Sequence, residues 1–210
     1  MGWSVDKNFE VGVCILAGGA SRRFGGNKAF ANLHGKPLLE HVIDRIRAQT
    51  TGPLIINAND PEQYERFGLK VSADDQWPGA GPLAGVYAAM SWARDVGLGQ
   101  VVTVAVDQPH VPMDFVATLL RTGAPAIAAS LGRPHPVNAL WPANVLAALD
   151  GYLASGKRSV LGWAESCQAR VAEFQALPDA VDPFLNMNTP DDLHTAEQAS
   201  VAHRTEIAPP

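Results

Sequence analysis

Short apolar, often β-branched runs that stop at a glycine, asparagine or aspartate alternate, through the first half of the chain, with segments whose apolar residues recur every three or four positions. Val11–Leu16 runs into Ala17-Gly18-Gly19, Leu54–Ile56 stops at Asn57, a run around Leu69–Val71 precedes Asp74, and Val101–Val106 stops at Asp107. Between them, Leu38, Leu39, Val42, Ile43 and Ile46 have helical spacing, Pro61–Phe67 reads as a short helix, and alanine-rich Pro82–Val96 as a longer one. This alternation predicts an α/β fold: a Rossmann-like three-layer α/β/α sandwich on a mostly parallel sheet. Right-handed crossovers then bring the strand C-termini to one edge, where the ligand crevice of such sheets lies. The residues that stop the strands are therefore the first candidates for a site.

The second half is less regular. Strands are expected at Val137–Trp141, Val171–Phe174 and Phe184–Met187, with helices at about Ala143–Ala154 and Asp191–Ala199. A single domain over 1–200 is expected, with a disordered tail over 201–210. Trp141 and Trp163 are read as core residues.

The first loop carries the strongest chemical signal. LAGGASRRFGGNKAF places four glycines, which let backbone N–H groups approach a phosphate chain, beside the cations Arg22, Arg23 and Lys28. The spelling is neither a Walker A loop, since Asn27 and Ala29 flank Lys28, nor a G-x-G-x-x-G fingerprint, since Gly18 and Gly19 are adjacent. Lys28 suits stabilisation of charge building on a pyrophosphate leaving group. On the loop alone, a plain strand-to-helix turn stays open. Asp107 ends an almost wholly apolar strand, where a carboxylate needs a partner. Mg²⁺ bridging it to phosphates would serve, and so would a capping role. The helix entered through Gly79, Gly81 and Pro82 offers free N–H groups and small side chains to a base or ribose.

Composition narrows the partners. A formal net charge of -5 disfavours a general nucleic-acid binder, and the clustered cations suit a small anion. No apolar run is long enough to span a bilayer, no signal peptide is visible, and two cysteines make no disulfide framework, so a cytoplasmic setting without membrane partners is expected. Six scattered histidines offer no metal-ligand spacing, and no G-x-S-x-G elbow is present.

Taken together, LAGGASRRFGGNKA, GPLAG, VDQPHVP, RPHPVNALWP and FLNMNTPDDL resemble, in order and spacing, the molybdenum cofactor guanylyltransferases, from about Val13 to Leu193. The first motif alone is shared with many nucleotidyltransferases of the nucleotide-diphospho-sugar-transferase type; the later ones are more specific. The resemblance implies transfer of GMP from Mg-GTP to the terminal phosphate of molybdenum-bound molybdopterin, with release of pyrophosphate. It implies a GTP-binding half over about 11–112 and an acceptor half over about 113–199. Leu16, Ala17, Gly18, Gly19, Gly81 and Lys28 are then expected at GTP, Asn57 and Asp74 at the guanine or ribose, and Asp107 at the magnesium ion. Lys28, Asp107, Arg22 and Arg23 would carry catalysis, and His135, Asn186 and Asn188 would face the pterin. Molybdoenzyme chaperones or cofactor-insertion proteins are the further partners such a role implies. Asn27 departs from the family, in which an acidic residue commonly precedes the lysine. Two other readings stand beside this one: cytidylyl transfer to the same cofactor, whose enzymes tend to spell LAAG where this chain has LAGG, and a non-catalytic nucleotide-binding subunit or cofactor chaperone.

Overall fold

The computed structural model describes residues 10–18 and 26–206. Gly19, Arg22 and Arg23 lie outside the described residues, as does the end of the expected tail, 207–210.

Four of the expected strands form the parallel heart of a sheet. β1 (Gly12–Leu16) pairs in parallel with β4 (Leu54–Asn57) on one side and with β6 (Gln100–Ala105) on the other, and β4 carries β5 (Lys70–Ser72) in parallel outside it. Side chains alternate between the two faces with period two. Val13, Ile15, Val102 and Val104 enter one apolar cluster, with Leu39, Val42, Ile43 and Ile46 of α1 (Leu38–Arg47); Cys14 and Val101 enter another, with Leu83, Val86 and Met90 of α2 (Pro82–Asp95). Buried on both faces, β1 and β6 read as near-continuous apolar runs. Burial also pushes the Cys14 thiol well above the usual cysteine range, which fits an inert core residue.

The sheet has seven strands in the order β5-β4-β1-β6-β8-β7-β9, and every strand except β8 runs in the same direction. β7 (Ala126–Ser130) and β8 (Arg133–Pro142) form a hairpin whose second strand returns between β6 and β7; β9 (Arg170–Phe174) closes the far edge. α3 (Phe115–Thr122) lies on the α1 side, and α4 (Leu146–Ala154) and α5 (Val160–Ser166) on the α2 side, completing the three layers. A two-residue hairpin of β2 (Asn32–Leu33) and β3 (Lys36–Pro37) turns through His34 and Gly35, both at positive φ. Trp141 and Trp163 are both core residues, their rings 6.4 Å apart.

Several expectations need correction. The β2–β3 hairpin, α3, β7 and α5 fall where no element was expected, and β8 begins four residues before Val137. Phe184–Met187 is not a strand: Phe184 and Met187 are buried anchors of a loop, and the N–H of Phe184 turns back to Asp182 Oδ1 at 2.8 Å. Its apolar residues reflect anchoring at two points, Phe184 and Met187, rather than a ladder. The closing helix, α6, spans Pro190–Glu206 and so continues past Ala199 into the expected tail.

Candidate active site

A cleft of about 1230 Å³ opens along the sheet edge at which β1, β4, β5, β6 and β7 end. Single-ligand pockets are commonly about 300–1,000 Å³, so this cleft is larger than one small ligand needs. Leu16, Ala17, Gly18, Lys28, Asn57, Asp74, Gly81, Asp107, His135, Asn186 and Asn188 all line it, drawn from eight separate stretches of chain.

At the cleft floor Lys28 Nζ reaches Asp107 Oδ2 and Asn188 Oδ1, each at 2.6 Å. The two charged side chains are 14% and 19% exposed, a setting sheltered enough for the pair to interact strongly yet open to a ligand. Lys28 opens a short 3-10 turn, Lys28–Phe30, capped by the side chain of Asn27, whose Oδ1 accepts from the N–H of Ala29 at 3.1 Å. The Asn27 amide also donates to Gln63 Oε1 and to the Tyr64 hydroxyl, at 3.1 and 3.0 Å. Asparagine here thus ties the lysine turn to the segment Pro61–Phe67, a role that needs its N–H₂ group.

Asn57 and Asp74 meet at one end of the cleft. Asn57 Nδ2 donates to Asp74 Oδ1 at 2.6 Å and to the Ser72 carbonyl at 3.0 Å. Burial pushes the Asp74 carboxyl above its usual range, partly offset by the bond from Asn57. Two glycines make space for this pair. A Cβ on Gly85, in the first turn of α2, would stand 2.5 Å from Asn57 Oδ1, and one on Gly18 would stand 3.3 Å from Asp74 Oδ2. Gly81 caps α2 at φ 63°, with Pro82 as its first helical residue.

At the other end, where His135, Asn186 and Asn188 were expected, residues the sequence reading did not single out also build the site. The β7–β8 register jumps between Ile127 opposite Ala139 and Ala128 opposite His135, so Pro136, Val137 and Asn138 bulge out of the ladder toward the cleft. Fully buried Asn138 accepts from the N–H of Ala105 at 3.0 Å and donates to Gln108 Oε1; Gln108 Nε2 donates in turn to Asn186 Oδ1 at 2.8 Å. A relay of amides therefore joins the end of β6 to the loop before α6. That loop is held twice more, by Met187 N–H on the Asp107 carbonyl at 2.8 Å, and by Asp192 Oδ2, which accepts from the N–H groups of Asn188 and Thr189, both at 2.8 Å. Thr189 Oγ1 accepts from Asp192 N–H at 3.2 Å and completes a capping box at the start of α6. The motif T-P-D-D was the available signal for this cap; nothing local marked Asn138 or Gln108.

Known proteins similar to this chain are numerous. A family model described as a MobA-like NTP transferase domain matches residues 13–170. A protein of Acidiphilium cryptum named molybdenum cofactor guanylyltransferase is 43% identical over 185 residues, covering 87% of this chain and 92% of its own. One of the same name from Cereibacter sphaeroides is 42% identical over 187 residues, covering 87% and 93%. The crystal structure of molybdopterin-guanine dinucleotide biosynthesis protein A from Archaeoglobus fulgidus superposes with a TM-score of 0.69 at 26% identity, over 91% of this chain and 100% of that one.

Proposed function

The chain belongs to the MobA-like NTP transferase family, and from that premise we propose that it is a molybdenum cofactor guanylyltransferase, joining GMP from GTP to the terminal phosphate of molybdopterin and releasing pyrophosphate. The observation that carries this reading is the Lys28–Asp107–Asn188 cluster, set between a donor end and an acceptor end of one cleft. In the donor half, Leu16, Ala17, Gly18 and Gly81 bring backbone close to the nucleotide, and Asn57 with Asp74 contacts its base or ribose. In the acceptor half, the Asn186 amide oxygen is occupied by Gln108, which leaves its N–H₂ group as the donor for a ligand.

The reaction forms a bond from an acceptor phosphate oxygen to the α-phosphorus of GTP and breaks the α–β anhydride. The nucleophile is already an anion, so the site needs no general base. What it must do is align two anions and offset their charge. Lys28, 2.6 Å from Asp107, is placed to follow the departing pyrophosphate, with Arg22 and Arg23 of the same loop as its expected helpers.

Asp107 suits a hard divalent cation. It offers a single carboxylate at the cleft floor, and among the described residues no group of three His, Cys, Asp or Glu side chains could hold a metal alone. Mg²⁺ is commonly held in this way, by one or two carboxylates with substrate phosphates and water completing its shell. When bound, the ion would supply Lewis-acid polarisation of the α-phosphate.

The reading places the enzyme in the cytoplasm, handing its product to molybdoenzyme chaperones or insertion proteins. No helix among the described residues is long and apolar enough to cross a membrane. Pyrophosphate release, measured with GTP and separately with CTP in the presence of molybdenum cofactor, tests it. Release with GTP is expected; release with CTP alone points to cytidylyl transfer, and none with either to a binding protein.

A further inference from the structure

Three polar side chains outside the Lys28–Asp107 cluster converge where the β7–β8 hairpin meets the loop before α6. Ser130 Oγ donates to Asp182 Oδ1 at 2.6 Å and lies 2.8 Å from His135 Nε2; Asp182 Oδ2 is 3.5 Å from the same ring nitrogen. The residue types are those of a hydrolase triad, but the wiring is not. Ser130 is fully buried and faces no substrate. Serine and aspartate also meet the same imidazole nitrogen, whereas a nucleophile relay needs them on opposite ones.

The protons can be counted instead. A hydroxyl has one hydrogen, and a carboxylate only accepts, so the Ser130 hydrogen goes to Asp182. Toward His135 the hydroxyl oxygen can then only accept, and Nε2 must carry the proton. In the neutral ring Nδ1 is left as an acceptor. No hydrogen bond occupies Nδ1 among the described residues, and it is not among the polar atoms sealed from solvent without a partner, while His135 lines the cleft. The ring is held from its face as well, with Phe184 at 4.8 Å between centroids, and the N–H of Phe184 itself bonds to Asp182. The charged groups around it are Asp182 and, two residues earlier on β8, Arg133. Burial lowers the imidazole's pKa below the usual histidine value, against the pull of Asp182 and with the help of Arg133, which keeps the neutral ring dominant at neutral pH.

We infer that Ser130 and Asp182 are positioning residues that lock His135 as its Nε2–H tautomer, so that Nδ1 accepts a hydrogen bond from an N–H group of the acceptor substrate. For its ligand this rests on the pterin-acceptor reading above, because a pterin carries ring and exocyclic N–H donors; the tautomer does not depend on it.

Two measurements decide the matter. In protein labelled with ¹⁵N-histidine, long-range proton–nitrogen correlations at neutral pH, assigned with His135→Gln, are expected to show the Nε2–H form alone. Ser130→Ala should mix the tautomers, whereas Asp182→Asn, which keeps an accepting oxygen opposite the hydroxyl, should retain the single form. An Nδ1–H ring in the wild type, or an unchanged spectrum in Ser130→Ala, overturns the lock. In turnover assays, His135→Gln loses the acceptor at the Nδ1 position and should raise the KM for molybdopterin about tenfold, the scale of one lost hydrogen bond, with the KM for GTP unchanged. His135→Asn, whose amide oxygen can sit near that position, should recover most of the loss. The wild-type KM for the acceptor should also rise as pH falls through the histidine's lowered pKa, and that of His135→Asn should not. Equal values in the two variants overturn the recognition role. A wild type with no turnover on the pterin acceptor overturns the acceptor reading and the ligand half of this inference, while the spectrum still decides the tautomer.

Discussion

Asp107 lies at the end of β6 because a run of buried valines has to stop at a residue that can face a ligand, and its partner Lys28 arrives from a loop 79 residues earlier. Replacing the carboxylate removes both the expected metal ligand and the counter-charge of the lysine. Asp107→Ala should lower pyrophosphate release by at least about 10²-fold, the usual cost of losing one electrostatic contact to a transition state. Its melting temperature should stay close to that of the wild type, since Asp107 stands at the cleft and not in either apolar cluster. Full activity in this variant removes Asp107 from the mechanism. Gly18 makes a subtler case. A methyl group there would stand 3.3 Å from Asp74 Oδ2, pressing on one member of the pair assigned to the base. Gly18→Ala, which spells LAAG, should raise the KM for GTP about tenfold, within the range a single methyl group commands in a pocket, and narrow its preference over CTP. An unchanged GTP-to-CTP ratio separates the glycine from base choice.

At the level of elements, the strands that were legible in the sequence are those buried on both faces. Val13 to Ile15 and Val101 to Val104 have no solvent-facing side to disguise them. β7 was not legible because AIAAS is mostly alanine, a poor strand former whose burial comes from its neighbours. The start of β8 was hidden by Pro134 and Pro136, which cannot donate to a ladder; they are tolerated because that stretch lies beyond the last β6 pairing, Thr103 with Ala139. The site follows the same division. Asn57, Asp74 and Asp107 could be placed by the rule that parallel strands end at the crevice, whereas Asn138, Gln108, Ser130 and Asp182 act through partners 5 to 78 residues away that only the bulged hairpin brings near. The cap of α6 joins the two kinds. Thr189→Ala should cost about 1 kcal/mol, as lost helix caps do. In a chain of this size that corresponds to about 2–4 °C in Tm. Because Asp192 also holds the N–H of Asn188, the same variant should lower kcat more than it raises the KM for GTP. A stability loss without any kinetic effect separates the cap from the site.

For the molecule as a whole, stability should depend on pH through His110. Burial, then the positive charges of Arg45, His41 and His34, lowers its pKa from 6.5 to about 4. An unfolded chain takes up this proton near the usual histidine value and the folded one does not, so stability is level above about pH 6.5 and falls as pH drops toward about 4. Allowing for solvent around a ring that is not fully enclosed, the loss is about 2 kcal/mol. Urea midpoints followed from pH 7 to 4 should show it, and His110→Asn should flatten the curve. Asp74, raised by burial, works in the opposite sense, so the difference between the two proteins is the quantity to read. A parallel pair of curves removes His110 as the cause. One contact also bears on how the enzyme comes into being. Lys28 and Asn188 are bonded across 160 residues, while the parallel strands of the donor half end at Ala105. The contact can form only once nearly the whole chain has been translated, because Asn188 follows all seven strands of the sheet. Competence for transfer is therefore the last property that synthesis confers.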